Sequence, residues 1–333
     1  MRITESGTIQ QSWLQREYHV VLASVAMGYV QCFYIGRIGS GVLWETSENR
    51  KTRISLLLGI SVLFLWMAWA FVKAVITPPG FAKDHVPQQK WPPERCPTAD
   101  PSHPPIYNLH PEYRYCGLDK IIKPFRTHHC SNCQACVLKY DHHCSWIGQC
   151  VGARNHKFFV NFLQATSAFT LYYLGTILTP GMRPALANGA RMSAVFAFTA
   201  AIVATAAFFS TRFLIYHTKL ILLGQTTLER FQLRKFRQKQ LQQNRSFSWW
   251  ERRKKQKVIE DCTRKWGDID TECNIWWLGS RRRGWEDVMG KSVWGWFLPI
   301  GQSQNDGLSY PINSRFGDDG GLKKREEWPE ELR

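Results

Sequence analysis

Acidic residues are scarce in this chain of 333 residues: 26 Asp and Glu stand against 43 Lys and Arg, for a net charge of +17. Cysteine, at ten residues, is too sparse for a secreted disulfide scaffold. Low-complexity sequence is missing, and with 14% aromatic residues and 15 Trp the chain carries too much apolar material for a disordered or collagen-like protein. A short apolar leader with a small-residue cleavage site is lacking too. The first 17 residues are polar and mixed in charge, so the first apolar run is expected to act as an uncleaved anchor. The averages, 44% hydrophobic and a mean hydropathy of −0.30, are those of a soluble basic protein of about two domains. They conceal a segregation.

Charge disappears where apolar residues gather. Residues 54–76 hold one charge, Lys73 near one end; residues 158–179 hold none; residues 193–216 hold only Arg212 near the end. As a helix each would be ~30 Å or longer, enough to span a hydrocarbon core. Residues 18–36 are also free of charge but carry His19 and Gln31, and they are read as a fourth span. The alternative, buried helices of a soluble protein, predicts an amphipathic stripe that these runs do not show. Four spans put the N-terminus, the connection 77–157 and the tail from 217 on one side. The connection carries ten Lys and Arg and the tail 23, against four in 37–53 and two in 180–192 on the other side. The positive-inside rule makes the large segments cytosolic, with the Arg50-Lys51-Thr52-Arg53 cluster pulling weakly the other way.

Six of the ten Cys fall between positions 116 and 150, interleaved with His128, His129, His142 and His143. On a cytosolic, reducing side, Cys and His two to six residues apart are zinc ligands rather than disulfide partners. They divide into two sets. Cys130, Cys133, His143 and Cys150 make a complete Cys3His site, and Cys116, His129 and Cys136 make three ligands of a second. Both would be structural sites that fold a segment with little apolar core of its own. Cys144 is left over, beside Asp141 and His142. An imidazole can take the proton of a thiol, and a carboxylate can orient that imidazole, so these three are candidate catalytic residues. The plainer reading of Cys144 is a spare ligand or a packed thiol.

Residues 115–159 resemble the cysteine-rich domain of the DHHC-type protein S-acyltransferases, the protein palmitoyltransferases. The resemblance is carried by Lys123-Pro124-x-Arg126, His129-Cys130-x2-Cys133-x2-Cys136, Asp141-His142-His143-Cys144-x-Trp146 and Cys150-x-Gly152-x2-Asn155-x3-Phe159. Thr226-Thr227-Leu228-Glu229 matches the family's TTxE motif. Gly279, Trp285, Val288, Gly290 and Trp296-Phe297-Leu298-Pro299 resemble its C-terminal aromatic motif. Three positions depart from the pattern. Asp119 stands where a second Cys of the first zinc site is usual. Either its carboxylate completes that site, or the site is three-coordinate, completed by water or empty. Pro78 replaces the Asp of an Asp-Pro-Gly motif, and Gly284 replaces an Asn.

The resemblance implies a mostly α, polytopic membrane protein: four transmembrane helices with a cytosolic zinc-binding cysteine-rich domain between helices 2 and 3. The expected divisions are a cytosolic N-terminus (1–17), helices 1 and 2 (18–76), the cysteine-rich domain (77–157), helices 3 and 4 (158–216), a cytosolic C-terminal region (217–300) and a disordered tail (301–333). It also implies a two-step transfer of a long-chain acyl group from palmitoyl-CoA or a similar acyl-CoA to membrane-proximal cysteines of substrate proteins. Cys144 is the nucleophile, His142 the general base and Asp141 its orienter, with Thr227 and Glu229 in support. An acyl chain gains ~0.8 kcal/mol per buried methylene, which favours a cavity among the helices. CoA is anionic, and Lys123 and Arg126 are the candidate phosphate contacts. The host would be an endomembrane (endoplasmic reticulum, Golgi or vacuole) or the plasma membrane. The basic run 245–257 with Trp249 and Trp250 is read as an anionic-lipid contact or a solvated helix, not a nucleic-acid site. The rival reading is a non-catalytic, membrane-anchored zinc module with an idle Cys144, which would have no need of Asp141 and His142. A transporter would need ionisable residues at mid-membrane, and the spans offer almost none.

Overall fold

The computed structural model describes residues 2–3, 9–10, 13–39, 47–88, 114–178, 194–243, 252–317 and 321–332. Four long helices form the body: α1 (Trp13–Gly39), α2 (Ser47–Ile76), α3 (His156–Leu178) and α4 (Ala194–Leu222). Among the described residues three stretches are long and apolar enough to cross a membrane, Tyr18–Gly39, Arg50–Ile76 and Ala194–Leu222. The last continues through His217, so the tail begins later than position 217. α3, read from the sequence as a span of residues 158–179, is not among the three. It packs between α2 and α4, and its Asn161, Ser167, Thr170 and Thr176 are buried. Thr170 and Thr176 donate at 2.7 Å to the carbonyls of Thr166 and Tyr173 in their own helix. A helix that faces protein on most sides can satisfy such groups internally.

The core between the helices is built from Tyr34, Ile38, Ile60, Met67, Phe169, Tyr173 and Val203 with their neighbours. The outer faces are the reverse of a soluble surface. Leu58, Val62 and Leu65 of α2 and Phe198, Phe208 and Phe209 of α4 are exposed. So many exposed large apolar side chains mark a face covered by something apolar.

Between α2 and α3 lie three antiparallel hairpins with no shared sheet: β3 (Tyr115–Cys116) with β4 (Ile121–Ile122), β5 (His128–Cys130) with β6 (Ala135–Val137), and β7 (His142–Cys144) with β8 (Gln149–Val151). A further two-residue pair, β1 (Arg2–Ile3) and β2 (Ile9–Gln10), precedes α1. An isolated hairpin is marginal in water, so these need cross-linking. The β7–β8 hairpin is fastened to the helices directly. Gln149 donates from Nε2 to the carbonyls of Ala74, Val75 and Thr77 at the end of α2. Asn155 accepts the Gly152 N–H and donates to the Cys150 carbonyl, both at 2.9 Å, tying β8 to the start of α3. Pro79 and Gly80 serve as acceptors, for the N–H groups of Arg154 and Leu138. A carbonyl is all this corner requires, so Pro78 costs it no donor.

α4 ends in a left-handed turn at Gly224 (φ +66°), where Gly224 and Gln225 donate to the carbonyls of Ile221 and Leu220. Then follow α5 (Thr227–Gln243), α6 (Arg252–Trp266), α7 (Arg281–Met289) and the short α8 (Trp294–Phe297). Asn161 of α3 donates to the Trp296 carbonyl at 2.9 Å, and Trp66 of α2 to that of Phe297 at 3.0 Å, so the aromatic motif is seated on the helix body. The tail, expected to be disordered, is packed over its described residues. Trp328 is 1% exposed, lies over Arg315 and Arg325, and donates its indole N–H to the Lys323 carbonyl. Composition missed this because a few aromatic anchors hold a segment that is otherwise polar. Loop residues 180–192, Cys96, and Trp249 and Trp250 of the basic run lie outside the described residues.

Gly284 sits where α7 crosses the last turn of α4. A Cβ there would lie 2.5 Å from the Ile221 carbonyl oxygen and 3.1 Å from that of Leu222. Gly284→Ala is therefore expected to lower stability by about 1–3 kcal/mol, read as thermal unfolding in detergent. Gly175→Ala, with no atom within 4 Å of the added carbon, should leave the midpoint unchanged or raise it slightly.

Candidate active site and metal centres

The hairpin registers assemble the metal ligands. In β5–β6 His129 pairs with Cys136, and in β7–β8 His143 pairs with Cys150. Each hairpin thus presents a His and a Cys directly opposite one another. Cys130 and Cys133 join the second pair. His143 Nδ1 lies 3.7, 3.4 and 3.6 Å from the sulfurs of Cys130, Cys133 and Cys150, and Cys133 Sγ lies 3.4 Å from Cys150 Sγ. Zinc with Zn–S near 2.3 Å and Zn–N near 2.0 Å requires tetrahedral edges of about 3.5–3.8 Å, so the set fits that ion.

At the first site Asp119 lies with the other three candidate ligands. Cys116, Asp119, His129 and Cys136 bring their ligand atoms within 4.8 Å of one another. His129 Nδ1 is 3.7 and 3.8 Å from the two sulfurs and 3.3 Å from Asp119 Oδ1. That shorter edge is what an N–Zn–O angle needs, since Zn–O is shorter than Zn–S. Asp119 Oδ2 is held apart from the cluster, accepting the Cys136 N–H at 2.6 Å. One oxygen faces the site while the other is pinned by the backbone, which orients a carboxylate ligand.

Strand alternation separates the two tasks of β7. His143 points to one face, into its metal cluster, while His142 and Cys144 share the other. Cys144 is buried among Phe71, Ile147, Phe158, Phe159 and Leu163, at the end of α2 and the start of α3. His142 Nδ1 lies 2.7 Å from Asp141 Oδ2. An ionised carboxylate only accepts, so Nδ1 carries the proton and Nε2 is left for Cys144. Burial disfavours charge on His142, but the Asp141 hydrogen bond and the adjoining Cys144 outweigh it and push its pKa up to about 9. Burial would raise the Asp141 pKa, but the His142 hydrogen bond and surrounding imidazoles hold its carboxyl below the usual range. The pair therefore favours a protonated His142, the form that follows transfer of a proton to Nε2.

The start of α5 holds Asp141 in place. Thr227 donates its N–H to Asp141 Oδ1 at 2.8 Å and its hydroxyl to the Asp141 carbonyl at 2.6 Å. One turn on, Thr226 and Glu229 form a reciprocal capping box: Glu229 Oε2 accepts the Thr226 N–H, and Thr226 Oγ1 accepts the Glu229 N–H. Glu229 also accepts two hydrogen bonds from Arg126, each 2.7 Å, in a bidentate pair whose side chains are 4% and 9% exposed. Thr227 and Glu229 therefore support the site by different routes, one through Asp141 and one through Arg126.

Arg126 also donates to the Gly224 carbonyl, and its guanidinium lies 5.4 and 4.9 Å from the rings of Trp276 and Tyr310. So placed, it joins the cysteine-rich domain to the C-terminal region through Nε and Nη2. Lys139 is similarly engaged, 2.5 Å from Asp287. Lys123 is half-buried next to this region. The sequence did not reveal Asp287 or Tyr310, which come from far along the chain. It also passed over His217, whose ring lies 5.6 Å from that of His142. An ionisable residue closing an apolar run was the available signal.

A family profile described as DHHC palmitoyltransferase matches residues 109–234. Palmitoyltransferase ZDHHC15 of Xenopus laevis is 30% identical over 293 residues, covering 81% of this chain and 76% of that protein. Palmitoyltransferase PFA3 of Saccharomyces cerevisiae is 33% identical over 196 residues, 56% of this chain and 51% of that one. Palmitoyltransferase ZDHHC2 of Rattus norvegicus is 30% identical over 287 residues, 79% and 68% of the two chains. The profile match takes in both clusters, the Asp141–Cys144 strand, α3 and α4, and with the Xenopus laevis relative, 30% identical and covered over 76% of its length, it makes this chain a member of the DHHC palmitoyltransferase family, an acyltransferase.

Proposed function

We propose that the chain transfers a long-chain acyl group from acyl-CoA to cysteine thiols of substrate proteins in two steps through an acyl-Cys144 intermediate. The observation that carries this is Cys144, buried against apolar side chains and on the same strand face as an imidazole whose other nitrogen is held by Asp141. In the first step the Cys144 thiol gives its proton to His142 Nε2 and its sulfur attacks the thioester carbonyl. CoA leaves as a thiolate and takes the proton from His142. In the second, a substrate thiol gives its proton to His142 and attacks acyl-Cys144, releasing the Cys144 thiol. Asp141 supports the positive imidazolium in both. Thr227 is a positioning residue through Asp141, and Glu229 one through Arg126. Lys123 and Arg126 remain the candidates for a CoA phosphate.

Cys130, Cys133, His143 and Cys150 would hold one zinc, and Cys116, Asp119, His129 and Cys136 another. When bound, the ions cross-link the hairpins and supply no chemistry to the transfer. With α3 taken as a fourth span, the cysteine-rich domain and the C-terminal region lie on one face, which the excess of Lys and Arg makes cytosolic. The apolar cluster from Cys144 to Leu163, joined by Val20, Met27 and Leu214, leads from the thiol into the helix body and suits an acyl chain. The substrates would be proteins with membrane-proximal cysteines, and the host an endomembrane or the plasma membrane.

Incubated in detergent with an alkyne-tagged palmitoyl-CoA, the wild-type chain should take up a hydroxylamine-labile label and Cys144→Ser none; an unlabelled wild type would leave the zinc-module reading. Elemental analysis should give near two zinc per chain in the wild type and near one in Asp119→Ala, whereas an unchanged content would remove Asp119 from the ligands. Arg126→Met leaves Glu229 buried and unpaired and should cost about 3–5 kcal/mol in stability, while Arg126→Met with Glu229→Gln should recover most of it. Equal losses in the single and double variants, read by thermal unfolding, would contradict the clamp.

A further inference from the structure

His217 is not used by the acyl-transfer chemistry, yet it sits in the middle of it. Its ring lies 5.6 Å from His142, 5.7 Å from His156 and 5.1 Å from Phe159. It is 1% exposed, and neither ring nitrogen has a hydrogen-bond partner. Buried polar groups are almost always satisfied, so an imidazole with two idle nitrogens calls for a ligand. The neighbouring His156, also buried, is unsatisfied at both nitrogens as well.

Asp141, His142 and His217 each place a ligand atom within 4.8 Å of the other two. A carboxylate with two imidazoles is the donor set of zinc sites that keep one coordination position open. Asp141 Oδ2 and His142 Nδ1 already lie 2.7 Å apart, and His217 has two unpartnered ring nitrogens to complete the set. We propose that Asp141, His142 and His217 form a third divalent-cation site, overlapping the catalytic pair, at which zinc beyond the two structural ions binds and arrests acyl transfer. Zinc entering there replaces the proton that His142 Nδ1 shares with Asp141, and that proton leaves to solvent. His142 is then locked to the metal and its carboxylate partner is no longer available to a protonated ring. Without a thiolate in the set, the site is weaker than the two cysteine clusters and fills after them.

The arrest rests on the reading of Asp141, His142 and Cys144 as the acyl-transfer site; the binding does not, and is measured without acyl-CoA. The full chain in detergent, its two structural sites loaded and excess metal removed, is dialysed against zinc chloride of increasing concentration. One further zinc per chain is expected, with the rate of acyl-enzyme formation falling over the same concentrations and returning on dilution into zinc-free buffer. Cys144→Ser, which forms no acyl-enzyme, should still bind the third ion. His217→Phe, which keeps a ring against Phe159, and His217→Gln should both weaken third-ion binding about tenfold or more. Their inhibitory concentration should rise in step, each variant compared with its own zinc-free rate. The structural zinc content of each variant reports its folding. Absence of a third equivalent in the wild type, its loss in Cys144→Ser, or unchanged affinity in the folded His217 variants would overturn the assignment.

Discussion

His143 and the pair His142 and Cys144 occupy successive positions of one three-residue strand, and nearly everything else in the molecule serves to keep that strand's two faces apart. The metal cluster on one face fixes the backbone of a hairpin too short to hold itself. His142 and Cys144 on the other face inherit that fixity. Around them the fastening is redundant: Gln149 grips the end of α2, Asn155 grips the start of α3, and Thr227 grips Asp141 from the far side of the chain. The Cys144 strand is thus referenced to three helices at once, which is the condition for a reproducible angle between thiol and imidazole.

Two buried ion pairs, Arg126 with Glu229 and Lys139 with Asp287, close the contact between the cysteine-rich domain and the C-terminal region. Such pairs contribute little net stability against an apolar replacement, because both charges must leave water. What they supply is orientation. An apolar patch would tolerate a slide of α5 across the domain, whereas a bidentate guanidinium–carboxylate pair tolerates none. Because Glu229 also closes the capping box of α5, the same carboxylate sets the helix start and its position against the finger.

The local parts of this arrangement were legible in the sequence. Ligand spacing, the leftover Cys144 and the apolar runs are all short-range patterns, and the Cys and His of each set lie together with Asp119 beside the first. The parts that were not legible depend on residues far apart. Nothing near Arg126 announces a carboxylate 103 positions away that pairs with its guanidinium. The polar side chains of α3 went unremarked in a run free of charge, and only packing shows that they face other helices. The tail looked disordered because Trp328 and Phe316 are few, though each is buried. His217 was counted as the first residue of a tail, when its helix runs five residues further.

The turn at Gly224 joins α4 to α5 within a few residues, and α5 begins on the residue that holds Asp141. On the proposed mechanism, the height of the Cys144 thiol above the bilayer is therefore set by the length of a helix, at 1.5 Å per residue. An enzyme working by that mechanism measures its substrates as much as it reads them. A protein cysteine would reach the proposed acyl-Cys144 thioester if its own anchor or neighbouring span held it at the matching depth, and sequence around that cysteine would matter little. Selectivity then belongs to geometry shared between two proteins in one membrane, with the end of α4 as the fixed mark on the scale.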